Sequence, residues 1–290
     1  MHKTSEWLQS FKSAPLQPNF LKNSTKKTVK LSITGGKGGV GKTSIALKTG
    51  LDLAKAGFKT LVIDCDSNLS NTAIKLGTPI TNNFERLIKA QVTFEECLVQ
   101  NGRFHLLPTC NGSLELFESR LNFDEIIIDI IQAHEDEYDY IILDCPAGIS
   151  RESLNLNAYC DFRWMIVTPD KASITDSYSL IKVLFHKYHV QENHLLINMF
   201  QNETQRNKVA QTLSDTVRNF LGMPLHQLGG IPRLDVSAET FDTFFLSEAK
   251  SDLNKNFAKI LYKFTEQVGG LIENETSAHG RSVTIEQDVH

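Results

Sequence analysis

Two apolar periods alternate along the chain. Strand-length apolar runs occupy Thr28–Thr34, Thr60–Cys65, Tyr138–Leu143, Arg163–Thr168, His194–Asn198 and Leu225–Ile231. Helix-spaced apolar positions occupy Lys42–Ala56, Thr175–Tyr188, Gln205–Leu221 and Ala249–Val268. The last of these puts Leu253, Phe257, Ile260, Leu261 and Phe264 on one face. Gly57 follows the first helix, where a left-handed residue ends a helix well. Short buried strands alternating with helices predict an α/β fold, a single doubly wound, mostly parallel sheet with helices on both faces. Ligands of such sheets bind beyond the carboxyl ends of the strands. The glycine loop Gly35–Gly41, Asp64, Asp66, Asp144 and Asn198 all fall at predicted strand ends.

The polar stretch 1–27, with Pro15 and Pro18, reads as a flexible extension holding one short amphipathic piece at Trp7, Leu8 and Phe11. Residues 28–268 form the predicted domain, and its last helix is expected to close the core rather than anchor in a membrane. Residues 269–290 are polar and acidic, with Glu273, Glu275, Glu286 and Asp288, and are expected to be a disordered tail. They lack the basic amphipathic helix of a membrane foot.

Composition changes the picture little. Hydrophobic residues make up 41% and charged residues 22% of 290 positions, as in ordinary globular chains. The net charge of −4 gives no global field toward nucleic acid, so DNA is an unfavoured partner. The five cysteines show neither a C-x-x-C pair nor zinc spacing, and reduced thiols in a cytosol are expected. The first residues lack a signal peptide's apolar region, and no apolar run is long enough to span a bilayer.

The chemistry concentrates in Gly36-Lys37-Gly38-Gly39-Val40-Gly41-Lys42-Thr43, which fits G-x-x-x-x-G-K-[ST] and is followed by Ser44. Glycines allow backbone N–H groups to wrap an anion, and the next helix presents its positive end to it. Lys42 is assigned to the β and γ phosphates and Thr43 to Mg²⁺ through its hydroxyl. The expected cofactors are ATP and Mg²⁺. Carboxylates at buried strand ends are costly without a cation. Asp144 is therefore assigned to the metal shell, Asp66 to the attacking water, and Asp64 to the metal or the loop. Gly148 is read as an N–H donor near the γ phosphate or as a turn. Asn198 is read as an adenine-reading amide, with Ile231 and Pro232 as an apolar lid. Cys65 and Cys145 are expected to pack in the core.

Lys37, in Lys-Gly-Gly-Val-Gly-Lys-Thr, resembles the deviant Walker A loop of the MinD/ParA group. That resemblance implies a lysine that acts across a dimer on the partner's nucleotide. Asp64–Asn71 resembles the first switch of that family and Asp144-Cys-Pro-Ala-Gly-Ile-Ser150 its second switch. Ser173-Ile-Thr-Asp-Ser-Tyr-Ser-Leu-Ile-Lys-Val-Leu184 is similar to a segment of the flagellar-number regulators FlhG/FleN (YlxH), and it is the match that separates them from generic MinD. Over roughly 28–268 the resemblance implies an ATP-dependent homodimer reset by slow, Mg-dependent hydrolysis. It implies a cytoplasmic protein at a pole or the membrane periphery. Its output would be flagellar number and placement, through an FlhF-type signal-recognition GTPase, a flagellar transcription activator, or both. A related reading is a ParA- or MinD-like ATPase positioning other cargo, whether DNA, chemoreceptors or the division machinery. The helix Thr175–Tyr188 is a candidate partner face or a packing helix. Ser67-Asn68 and Ala73 depart from the family pattern and bear on turnover rather than binding. The family's Asp-Gln-Ala segment is absent, and Trp7, Leu8 and Phe11 either replace it or pack on the body.

Overall fold

The computed structural model describes residues 28–66, 72–79, 83–109 and 122–282, with side chains to 268. The extension 1–27, the first-switch residues 67–71, Cys110 and residues 283–290 lie outside them. The strands among the described residues are β1 Val29–Thr34, β2 Thr60–Asp64, β3 Val99–Asn101, β4 Phe104–Leu107, β5 Tyr140–Asp144, β6 Phe162–Val167, β7 Asn193–Phe200 and β8 Leu225–Pro232. They form one sheet in the order β3-β4-β2-β5-β1-β6-β7-β8. Every pair is parallel except β3–β4, a hairpin turning at Gly102-Arg103.

The helices are α1 Lys42–Lys55, α2 Thr72–Lys75, α3 Asn83–Ile88, α4 Phe94–Cys97, α5 Phe123–His134, α6 Arg151–Tyr159, α7 Lys171–Tyr188, α8 Glu203–Leu221, α9 Ala238–Leu246 and α10 Asp252–Ser282. Period-two alternation sends neighbouring strand residues to opposite faces. Leu31, Ile33, Val62 and Trp164 pack with α1, α9 and α10. Leu61, Ile63 and Leu143 face α3, α4 and α5, while Met165, Val167 and Ile197 face α7 and α8. Both faces of the sheet are therefore covered, which accounts for the nearly unbroken apolar strands.

The last helix corrects one expectation. Leu253, Phe257, Ile260, Leu261 and Phe264 are buried in the core as expected. The helix does not stop at Val268, however; its backbone continues to Ser282. No proline interrupts 252–282, so the glycine pair at 269–270 is crossed rather than ending the helix.

Candidate functional site: a phosphate-binding cavity

β1 runs into the glycine loop, and the loop runs into α1. Gly41 caps α1 in a left-handed conformation, no side chain caps the helix, and its first turn holds no acidic residue. By contrast, α6, α7, α8 and α9 begin on the capping side chains of Ser150, Asp170, Asn202 and Ser237. The uncapped end of α1 leaves N–H groups available to an anion. It opens on a cavity of about 640 Å³ lined by Gly38, Gly39, Gly41, Lys42, Thr43 and Ser44. Asp64, Asp66, Asp144 and Asn198 line the same cavity. Its size lies within the roughly 300–1,000 Å³ range of small-molecule sites.

The electrostatics suit a polyanion carrying a cation. Burial lowers the pKa of the Lys42 ammonium, and Asp144 and Asp66 only partly oppose this. Asp144 is pushed up from the usual carboxylate range, first by burial and then by Asp64, its register neighbour on β2; Thr43 and Lys42 pull it back. The Thr43 hydroxyl faces the Asp144 carboxyl and favours its charged form. Even so, Asp144 Oδ1 is buried and has no partner among the described residues. An orphaned carboxylate oxygen beside a threonine hydroxyl fits a hard divalent cation that takes its remaining ligands from phosphates and water. Among the described residues no cluster of three or more His, Cys, Asp and Glu could hold a metal unaided. The metal would therefore depend on the polyphosphate.

Asp64 lines the cavity and holds Asp66 and Thr72. Its Oδ1 accepts the Asp66 N–H at 3.0 Å and its Oδ2 accepts the Thr72 hydroxyl at 2.8 Å. Asp66 and Thr72 are thus tied to one buried carboxylate. Asp66 lies at the cavity wall, half-buried.

Several expected roles change. Asn198 lines the cavity, but its amide donates to the Val40 carbonyl at 2.8 Å and accepts the Met199 N–H at 3.0 Å. It braces the phosphate loop, which leaves one N–H and one lone pair for a base. A Cβ at Gly41 would stand 2.4 Å from that amide nitrogen, so the brace requires glycine there. Ile231 is a core residue outside the cavity lining, whereas Pro232 and the following Arg233, Leu234, Asp235 and Val236 form the wall. The Gly148 N–H donates to the Gly35 carbonyl at 3.1 Å, so a γ phosphate would have to displace that bond. Gly36 packs against α7 instead of lining the cavity, and a Cβ there would fall 2.2 Å from the Asp176 carbonyl carbon. The Ser44 hydroxyl turns away from the phosphates to Asp242 Oδ1, at 2.6 Å.

Lys37 lies outside the main cavity and pairs with Asp170 Oδ1 at 3.0 Å. Asp170 also accepts the Thr168 hydroxyl and the Ser173 N–H, and these bonds, Thr168's foremost, hold its carboxyl down at about 2. Sequence reasoning missed Asp170, Lys75 and Asp242. For Asp170 a signal existed, since Asp-x-x-Ser after a strand is a capping pattern. Cys65 and Cys145 are buried as expected, with burial raising both thiols well above their ordinary value. No helix among the described residues is long and apolar enough to cross a membrane.

Known proteins share the family and the fold. The family model AAA_31, an AAA domain, matches residues 28–171. A putative septum site-determining protein MinD of Mesostigma viride is 30% identical over 216 residues, 73% of either chain. The flagellum site-determining protein YlxH of Helicobacter pylori is 28% identical over 206 residues, 69% of this chain and 68% of that one. The antiactivator FleN of Pseudomonas aeruginosa is 26% identical over 203 residues, 70% and 72% of the two chains. Among solved structures, MinD of Pyrococcus horikoshii complexed with Mg-ADP superposes with a TM-score of 0.68 at 20% identity. That match covers 84% of this chain and 98% of the other, and it shows a shared fold. With a two-lysine glycine loop, an uncapped helix behind it and carboxylates at the adjoining strand ends, the chain belongs to the MinD/ParA-like P-loop ATPases.

Proposed function

We propose that this ATPase is a nucleotide-switched homodimer that sets flagellar number and placement through partner proteins. One observation carries the reading: the helix bearing the flagellar-type segment Ser173–Leu184 is seated directly on the phosphate loop. Gly36 abuts Asp176 and Ser177, its N–H points to the Ser177 hydroxyl at 3.5 Å, and Lys37 pairs with the residue that caps α7. A movement of the phosphate loop reaches α7 through these contacts. The kinship with YlxH and FleN supports the same output. An FlhF-type signal-recognition GTPase, a flagellar transcription activator, or both, would read α7.

Lys42 neutralises the β and γ phosphates, and the α1 N–H groups hold them in place. Mg²⁺ would be held by Thr43 and Asp144, and when bound it supplies compensation for the charge spread over the phosphoryl oxygens. Asp66 orients the attacking water. Lys37 of the partner subunit adds a cation to the developing negative charge, the task that in-trans arginines perform in related enzymes. Gly148 exchanges its Gly35 bond for the γ phosphate and so reports whether that phosphate is present.

Deleting the gene and counting flagella tests the output. Altered number or position, restored by the wild-type gene but not by one carrying Lys42→Ala, is the expected result. Unchanged flagella would end the flagellar reading. Loss of division-site placement instead would favour the septal relatives.

A further inference from the structure

The cavity's base-side wall and the exit of the first switch share a single carboxylate. Asp242 lies on α9, nearly buried, between Phe241 and the end of the helix. Its Oδ1 accepts the Ser44 hydroxyl at 2.6 Å, and its Oδ2 is ion-paired with Lys75 Nζ. Lys75 also donates to Ser44 Oγ at 3.2 Å, which closes a triangle of three side chains. Each vertex belongs to a different working part. Ser44 follows Thr43 in the first turn of α1. Lys75 ends α2, whose first residue, Thr72, is bonded to Asp64. Asp242 sits on the helix whose Ala238 and Phe241 line the cavity beyond Pro232.

We infer that Asp242 and Lys75 are positioning residues that convey occupation of the base-side wall to α2 and, through Thr72, to Asp64 and Asp66. The inference rests on the nucleotide reading above. A four-residue helix has too few internal hydrogen bonds to hold itself. Its place is set by its two ends, Thr72 on Asp64 and Lys75 on Asp242. Thr72 passes that placement to Asp64, whose carboxylate also holds the Asp66 N–H. A base against α9 fixes Asp242, Asp242 fixes Lys75, and Lys75 fixes α2, whose Thr72 bears on the carboxylate that holds Asp66. A buried carboxylate with one charged and one neutral donor suits this task, because losing the ammonium leaves a charge uncompensated.

The test compares ADP, which carries a base, with inorganic pyrophosphate, which does not. Amide exchange is measured over 72–79 in the full chain, with binding followed by calorimetry. In wild type, ADP should slow exchange there about tenfold more than pyrophosphate does. In Asp242→Asn that difference should shrink to within about threefold while ADP still binds. Turnover should lose about tenfold in kcat with KM little changed, a split that simple destabilisation does not produce. Lys75→Met should reproduce both results, and carries the test if Asp242→Asn fails to fold. The double variant should be no worse than either single one, because the residues act as a unit. An unchanged ADP-to-pyrophosphate difference in the variants overturns this inference alone. A wild-type chain that binds neither ligand removes the phosphate-site reading and this inference with it.

Discussion

Lys37 Nζ and Asp170 Oδ1 are paired at 3.0 Å within one protomer, each side chain a little under half exposed. A lysine proposed to act on the partner's nucleotide is thus held by its own chain. Exposed pairs of this kind are worth about 1 kcal/mol at most, and a triphosphate outcompetes a single carboxylate for an ammonium. Lys37→Ala should therefore bind ATP with near-wild-type affinity yet fail to dimerise or hydrolyse it. Asp170→Asn should dimerise at lower ATP concentration, by up to about fivefold. Light scattering against ATP concentration checks both, and wild-type turnover by Lys37→Ala would remove the lysine's trans role.

Lys42 lines the cavity near Asp144 and Asp66, and burial already disfavours its charge. Only an anion restores that loss. Lys42→Ala should weaken ATP binding by at least about a hundredfold, the value of charge-assisted contacts to two phosphates. Calorimetry that found retained affinity would contradict the placement of the phosphates at the end of α1.

Asp66 stands at the cavity wall with its backbone N–H fixed by Asp64. Removing its carboxyl leaves Lys42, Thr43 and Asp144 in place, so nucleotide and metal should still bind. Asp66→Ala should accumulate an ATP-bound dimer and lower kcat about a hundredfold or more. A monomer in the presence of ATP, seen by size-exclusion light scattering, would count against its role in hydrolysis.

The phosphate loop was legible because its chemistry is contiguous, eight residues at fixed spacing between a strand and a helix. Asp144 was legible because a carboxylate at the end of an apolar strand has few physical explanations. Asn198 was found as an amide at a strand end, but its direction was not, since Val40 lies 158 positions away. The same holds for Lys37–Asp170 and Lys75–Asp242, separated by 133 and 167 positions. Pairings of that reach are set by strand order, which no local pattern encodes. The β3–β4 hairpin escaped because β3 has three residues, too few to show a period. The continuation of α10 escaped because acidic polar composition reads as a tail, while helix propensity and the absence of proline kept the backbone helical.

Gly36 and Gly38 are neighbours in the motif but differ in their surroundings. A Cβ at Gly36 would enter the backbone of α7, 2.2 Å from the Asp176 carbonyl carbon, whereas a Cβ at Gly38 meets nothing within 4 Å. Gly36→Ala must push α7 off the loop and should cost on the order of 3 kcal/mol. Gly38→Ala should leave stability within about 0.5 kcal/mol. Urea unfolding separates the two, and equal midpoints would show that α7 is not seated on the loop as described.

His194 gives the fold an acid limit away from the nucleotide cavity. It lies buried on β7 against Phe162, Phe264 and His226, and its Nδ1 has no hydrogen-bond partner among the described residues. Burial first, then the charges of His226 and Arg163, depress its pKa to about 4, with Lys263 adding to the effect and a hydrogen bond to Gln267 opposing it. Above the ordinary histidine pKa, near 6.5, the ring is neutral in both folded and unfolded chains and contributes no slope. As pH falls below that value the unfolded chain takes up a proton that the folded chain refuses, and stability is lost until about pH 4. The loss should approach roughly 3 kcal/mol. His194→Phe keeps an aromatic ring among aromatic rings and removes the titration. Its stability should therefore fall less between pH 7 and pH 4.5 than that of wild type, by about 2 kcal/mol in urea unfolding. Equal losses in the two proteins would place the acid sensitivity elsewhere, in the carboxylates rather than in this ring.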